Sequence, residues 1–197
     1  MNKTTCKIWL LALLLIGAPL SAEQFEGDVL AERVQAIVQV SENVQGSFTQ
    51  KKFIEVLPHP LRSSGEFAFS RDGGLLWKTL EPIASELHFN HLGISQQVDG
   101  ETLWAIDPNQ PITVALTQVL TGILSSNWEV LQEYFVLAGS IEEGRWSVQL
   151  TPKELSWSTV IDRLQVKGGG VVESIVMFEP NQERTEINLD VTYADSH

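Results

Sequence analysis

Cysteine is all but missing from this sequence of 197 residues: the one copy, Cys6, lies near the start. Positive charge is scarce, with 13 Lys and Arg against 25 Asp and Glu and a formal net charge of −12. Such an acidic balance makes nucleic acid and anionic membrane surfaces poor partners. Long apolar runs are absent beyond residues 8–20, "IWLLALLLIGAPL". That run is shorter than a bilayer span, and no later segment approaches about 18 consecutive apolar residues, so no transmembrane helix is expected. Also lacking are a G-x-S-x-G elbow, a G-x-G-x-x-G turn and a phosphate loop. Together with the loss of Cys6 described next, these absences point away from enzymatic chemistry and from a cofactor.

What is present begins with an address. Lys3 and Lys7 form a basic n-region, residues 8–20 an apolar h-region, and Leu20-Ser21-Ala22 a small-residue cleavage site. Residues 1–22 are therefore expected to be a cleaved signal peptide, and 23–197 a single domain of ordinary size. Cys6 leaves with the signal, so the exported chain is expected to fold without disulfides. No cysteine follows the cleavage site, which disfavours a lipid anchor. Without Lys3 and Lys7 the balance is 11 basic against 25 acidic residues, a net charge of about −14. A periplasmic monomer held by its own core fits these features.

Period and turn signals set the architecture. Residues 27–40, "GDVLAERVQAIVQV", place Val29, Leu30, Val34, Ile37 and Val38 on one helical stripe. From Gly46 the period becomes two, in "GSFTQKKF", "SSGEFAFS", "RDGGLLWKTLEP", "ELHFNH" and "TLWAI". Turn signals at Pro58-His59-Pro60, Asp72-Gly73-Gly74, Glu81-Pro82, Asp99-Gly100 and Asp107-Pro108 separate them. Residues 112–124, "ITVALTQVLTGIL", are apolar around most of a helix, relieved by Thr113, Thr117, Gln118 and Thr121. A second short helix is expected at 127–133, capped by Ser126 or Asn127. Strands resume in "FVLAGSIEEGRWSVQLTP", "TVIDRLQVKGGGVVESIVMFEP" and "TEINLDVTY". The fold class is thus α+β: an incomplete antiparallel β-barrel of about ten strands, with an N-terminal helix and a helical lid insertion.

Isolated reactive residues have plain explanations. His88 and His91 stand three apart on a strand, so they point to opposite faces and cannot converge on one metal ion. His59 sits between prolines in a turn. Gly168-Gly169-Gly170 lies between strands rather than ahead of a helix, which suits a hairpin and not a phosphate site. No catalytic residue and no metal site are assigned.

In order along the chain, an amphipathic helix, "GSFTQKK", "GEFAF", "RDGGLLW", "TLEP", "VDGETLWAIDP", a helical insertion and "WSVQLTPK" resemble the outer-membrane lipoprotein carrier proteins, the LolA family. The resemblance runs from about Gly46 to Lys153, with weaker strand-level similarity to about Tyr193. It implies an incomplete barrel closed by helices, lipoprotein localization through the periplasm as chaperone and transport protein, an inner-membrane donor complex and an outer-membrane acceptor. The family's lid-latching arginine falls on Arg71 and its tryptophan on Trp77. Asp72 stands where the family has proline. Family members continue beyond the last strand, whereas this sequence stops at His197, in the manner of shorter relatives linked to glycolipid or polyene-lipid export.

The physical counterpart is a lipid-binding cavity. Phe48, Phe67, Phe69, Leu75, Trp77, Leu87 and Phe89 form its wall if their strand faces coincide, and Val114, Leu116, Val119, Leu120 and Ile123 form a movable lid. Arg71 is the expected latch, donating to helix-end carbonyls of the lid. The cargo is the acyl part of a lipoprotein or a lipid, delivered towards the outer membrane. The competing reading is a periplasmic protein-interaction module without lipid cargo, with Trp104, Trp128 and Trp157 as exposed anchors.

Overall fold

The computed structural model describes residues 23–193 apart from 40 and 159, and leaves the side chains of 111, 112, 114, 115, 156, 158 and 193 undescribed. The signal-peptide segment 1–22, His197 and the side chain of Val114 therefore lie outside the described residues.

The chain opens with strand β1 (Glu23–Glu26) and helix α1 (Gly27–Ile37). Six strands follow: β2 (Asn43–Phe53), β3 (Leu61–Ser70), β4 (Gly74–Glu81), β5 (Ser85–Asn90), β6 (Gly93–Val98) and β7 (Glu101–Ile106). Helices α2 (Pro111–Leu124) and α3 (Trp128–Tyr134) are inserted before β8 (Phe135–Glu142) and β9 (Arg145–Pro152). A short α4 (Leu155–Ser158) leads to β10 (Arg163–Gly168), β11 (Val172–Phe178) and β12 (Arg184–Tyr193). The strands make one sheet in the order β1-β8-β9-β10-β11-β12-β2-β3-β4-β5-β6-β7. Every pairing in it is antiparallel. β1 and β7 end it without pairing to each other, so the barrel is open. The α+β architecture of an incomplete antiparallel barrel with an N-terminal helix and a helical insertion is what the sequence led us to expect. No helix among the described residues is long and apolar enough to cross a membrane.

Twelve strands stand where about ten were expected, because β1 and β6 carry little signal. β1 is "EQFE", four residues with one apolar side chain, and β6 is "GISQQV", with glutamine at the middle inward position. Both are held by pairing with stronger neighbours. Helix α1 ends at Ile37, three residues before the end expected from its pattern. Leu30, Ala31 and Val34 are its buried positions, while Val29 is 52% exposed. The stripe is thus rotated towards Ala31, since α1 packs against both β8 and α3. Gln132 on α3 ties the two helices by donating to Asp28 at 2.9 Å.

Cross-strand register shows which side chains share the concave face. One row runs Val44, Phe69, Leu75, Phe89, Ile94, Ile106 across β2 to β7, and another runs Gly46, Phe67, Trp77, Leu87, Gln96, Trp104. Phe48 lies opposite Gly65, and Phe67 opposite Gly46. Each ring lies over a glycine, where a side chain would collide: a Cβ at Gly65 would come within 2.9 Å of the Phe48 ring and 1.9 Å of the Lys78 carbonyl oxygen. Trp77 then stacks on both rings, with centroids 4.0 Å from Phe48 and 5.8 Å from Phe67. On the outer face, Lys78 pairs with Glu86 across the strands at 3.0 Å. Hydrogen bonding to Glu86 raises the Lys78 pKa, and the same bond lowers that of Glu86.

Gly65→Ala should therefore destabilise the fold by about 1–3 kcal/mol, the range for forced overpacking, although alanine for glycine in a tolerant position is stabilising. Urea unfolding with an unchanged m-value checks this, and a variant as stable as the parent would remove the ring-over-glycine account.

Candidate functional site

The concave face is not filled by its own side chains. Between it and α2 lies a cavity of about 510 Å³, within the range of small-molecule sites. Leu75, Trp77, Leu87 and Phe89 from β4 and β5 form one wall. The far wall comes from β10, β11 and β12, through Leu164, Ile175, Met177 and Ile187. Leu116, Val119, Leu120, Ile123 and Leu124 of α2 form the roof. Gln50, Lys52 and Thr185, neighbours on β2 and β12, are the polar side chains in its lining, and Trp104 borders it from β7. Lys52 is held there by Glu179 at 3.3 Å and Glu183 at 3.6 Å.

The residues expected to line the wall divide into three groups. Leu75, Trp77, Leu87 and Phe89 face the cavity. Phe48 and Phe67 are buried beneath it and support the Trp77 ring from behind. Phe69 shares their face but borders a different, polar cleft. Four of the five lid residues, Leu116, Val119, Leu120 and Ile123, face the cavity; the fifth, Val114, is undescribed. Ile94, Ile106 and the far wall are cavity-lining residues that strand patterning missed, because pairing of distant strands is needed to bring them opposite β4.

Helix α2 has no side-chain cap from Gln110 before it and no basic residue in its last turn, while its last carbonyls accept from the backbone amides of Ser125, Ser126 and Asn127. Its polar tether is Tyr134 at the end of α3, whose hydroxyl donates to Gln118 Oε1. Burial, then the charges of Glu133 and Glu154, raise the Tyr134 pKa, so the phenol keeps its proton through the neutral range. Arg71 is placed otherwise than a lid latch requires. Its Nε pairs with Glu42 Oε1 at 3.4 Å in an exposed contact, and its backbone N–H donates to the Glu42 carbonyl at 3.1 Å. Among the described residues no hydrogen bond or ion pair joins its guanidinium to α2.

The anchors of the interaction-module reading are not where that reading needs them. Trp128 is 1% exposed and packs edge-on against Trp146 at 5.1 Å, and Trp157 is buried against Tyr134 and Phe135. They are core because α3 and α4 fold onto β8 and β9. Trp104 alone is exposed, at 41%, and donates to Gln96 at 2.7 Å. His88 lies beside Glu86 at 3.5 Å, and His91 borders the polar cleft. Among the described residues no group of three or more His, Cys, Asp or Glu is placed to hold a metal ion.

No family model matches the sequence. An outer-membrane lipoprotein carrier protein of Cupriavidus pinatubonensis (strain JMP 134 / LMG 1197) is 27% identical over 151 residues, which take in 71% of this chain and 66% of the relative. The match thus spans just under two thirds of that relative's length. Among solved structures, a LolA superfamily protein of Nitrosomonas europaea aligns with a TM-score of 0.43 and 9% identity, covering 88% of this chain and 96% of that one. The MucA/MucB complex of Pseudomonas aeruginosa aligns with a TM-score of 0.34 and 14% identity, covering 85% and 56%.

Two substitutions distinguish the Tyr134 tether of α2 from the Arg71–Glu42 pair, which does not reach it. Tyr134→Phe should cost about 0.5–1.5 kcal/mol, the worth of one hydrogen bond, and raise amide hydrogen exchange in α2 more than in β9. Arg71→Leu should change stability by less than about 0.5 kcal/mol, because its partner contact is exposed. A larger loss for Arg71→Leu than for Tyr134→Phe would overturn this reading of the two contacts.

Proposed function

Taking the chain as LolA-like, we propose that it is a periplasmic carrier that shields the acyl chains of a lipoprotein or lipid beneath α2 and delivers them towards the outer membrane. The observation that carries this reading is the apolar hollow of about 510 Å³ between the open sheet and α2. An acyl chain needs such a place: at about 0.8 kcal/mol per methylene, a sixteen-carbon tail resists bare aqueous transit by on the order of 12 kcal/mol. The cavity replaces water by Leu75, Trp77, Leu87, Phe89 and the α2 roof.

Carriage requires binding and release but no bond making, so no catalytic residue and no cofactor enter the scheme. Loading requires α2 to lift. The absence of a side-chain cap at its start, and the Tyr134–Gln118 bond as its side-chain tether among the described residues, support a closed state that opens at modest cost. Arg71 acts as a latch in this scheme only by leaving Glu42 for the lid, so its charge belongs to a step of the cycle rather than to the resting contacts. Loading and discharge fall to an inner-membrane donor and an outer-membrane acceptor.

An environment-sensitive fatty-acid probe should bind the protein saturably and be displaced by palmitate. Leu120→Glu, which sets a carboxylate in the roof, should weaken binding by about tenfold or more with the fold retained by circular dichroism. Failure of the folded parent to bind any such probe would sink the carrier reading.

A further inference from the structure

The two ends of the barrel differ in what they expose. Antiparallel pairing puts the β2–β3, β4–β5, β6–β7 and β11–β12 turns and the α4 segment at one end, and the β3–β4, β5–β6 and β10–β11 turns at the other. Helix α2 crosses the second end, beside the polar cleft bordered by Phe69, Asn90 and His91. Gln50, Lys52 and Thr185, together with Ile161 and Leu164, mark where the apolar cavity reaches the first end.

Large apolar side chains stand in water at that first end. Val56 is 85% and Ile83 73% exposed in the β2–β3 and β4–β5 turns, and Leu57, Leu61, Leu80 and Val160 are exposed around them. In the turns of the opposite end, Leu92 at 74% is the one such residue among those described. A single exposed apolar residue is ordinary, whereas several gathered at one end of a molecule mark an interaction surface. These tips are continuous with the cavity: Val160 precedes the cavity-lining Ile161, and Leu61 pairs across the strands with the cavity-lining Lys52.

Charge divides the same way. Segments 51–62, 78–86, 97–104, 151–163 and 178–186, which make up this end, hold 7 Lys and Arg against 10 Asp and Glu, while the rest of 23–197 holds 4 against 15. The net charge is thus −3 here and −11 elsewhere. Much of the charge at this end is also compensated in pairs: Lys52 with Glu179 and Glu183, Arg163 with Asp162 at 2.6 Å, and Arg184 with Glu186 at 2.9 Å. A nearly neutral end with apolar tips matches a surface that itself carries no net charge. The tips are aliphatic and sit on separate turns rather than in one flat patch. A rigid protein partner would need a matched pocket for each, and such contacts favour aromatic and arginine anchors, whereas fluid lipid admits apolar points wherever they fall.

We propose that this end of the barrel docks on a zwitterionic phospholipid bilayer, with Val56, Leu57 and Ile83 entering its interface and the cavity opening towards the lipid. As a path by which an acyl chain enters or leaves without crossing water, the contact rests on the carrier reading; as a contact with lipid it is tested by itself.

The test is flotation of the exported chain, residues 23–197, with large vesicles of phosphatidylcholine, since the apolar run at 8–20 would itself bind lipid. The parent should partition onto them, and the double variant Val56→Asp, Ile83→Asp at least about tenfold more weakly, with the fold retained by circular dichroism. Leu92→Asp, as exposed but at the opposite end, should bind as the parent does. Replacing part of the phosphatidylcholine by phosphatidylglycerol should not strengthen binding at physiological salt. None of these residues lines the apolar cavity, so all three proteins should take up the fatty-acid probe equally. Four results overturn the proposal: no partition of the parent, an equal loss in Leu92→Asp, binding that needs the anionic lipid and is abolished by salt, or self-association of the parent that the double variant loses while vesicles capture neither. Vesicle binding by a parent that takes up no fatty acid would strike the carrier reading and leave the lipid contact, and uptake of fatty acid without vesicle binding would do the reverse.

Discussion

The structure turns on one packing constraint: a twisted sheet that stays open cannot bury its concave face by itself. Twelve antiparallel strands curl, but β1 and β7 do not meet, so the inner rows of side chains must be covered by something else. Over β8 and β9 the cover is α1 and α3, and there the interior is tightly filled. Leu30, Val34, Trp128, Leu131, Leu137, Val148, Leu150 and Val166 are all essentially buried. Over β4 to β6 the cover is α2, and there it does not close. Trp77, Leu87, Leu116, Leu120, Met177 and Ile187 remain only partly buried, packed against the core but not sealed into it.

This unevenness follows from the local chemistry. Phe48 and Phe67 lie flat over Gly65 and Gly46, and Trp77 stacks on them, so the aromatic slab hugs the sheet instead of reaching up to the helix. The space saved at the glycines reappears as space under α2. Tall aliphatic residues at those two positions would fill the hollow from below, at the cost of the backbone approach the glycines allow. The slab therefore acts as a smooth floor rather than as filling.

Much of this was legible in the sequence, for identifiable reasons. Alternation placed Leu75 with Trp77 and Leu87 with Phe89, and register carried out what alternation promised. The cap of α3 was readable as Ser126 or Asn127, both good capping residues, and falls on Asn127, whose side chain accepts from the Val130 amide at 3.3 Å. What alternation could not tell is what lies over a given face. Phe67 and Phe69 share a side of β3, yet one supports Trp77 and the other borders the polar cleft. The polar face of α2 was also hidden, since thirteen residues of mostly apolar character read as a greasy lid. The signal was present at Thr113, Thr117, Thr121 and Ser125, every fourth residue, but a stripe of small polar groups gains meaning only when a cleft is found beside it. Trp128 and Trp157 misled for the converse reason: composition cannot distinguish an anchor from a core ring.

Helix α2 thus answers two opposing demands with one stretch of chain. Its apolar face gains stability by closing on the sheet, while on its other face the Thr113 and Thr117 hydroxyls are buried unpaired and those of Thr121 and Ser125 donate to the helix's own carbonyls. A helix buried on both sides by matched partners would be locked, and one with a solvated polar face would be held by its apolar side alone. The arrangement found lies between these. In the proposed carrier scheme, cargo under the helix adds apolar contact to the closed position, and that gain can be no larger than the difference the cargo makes between lifted and closed helix. The cost of lifting is set by the contacts that hold α2 when no cargo is there, the apolar packing of the roof and the Tyr134–Gln118 bond among them.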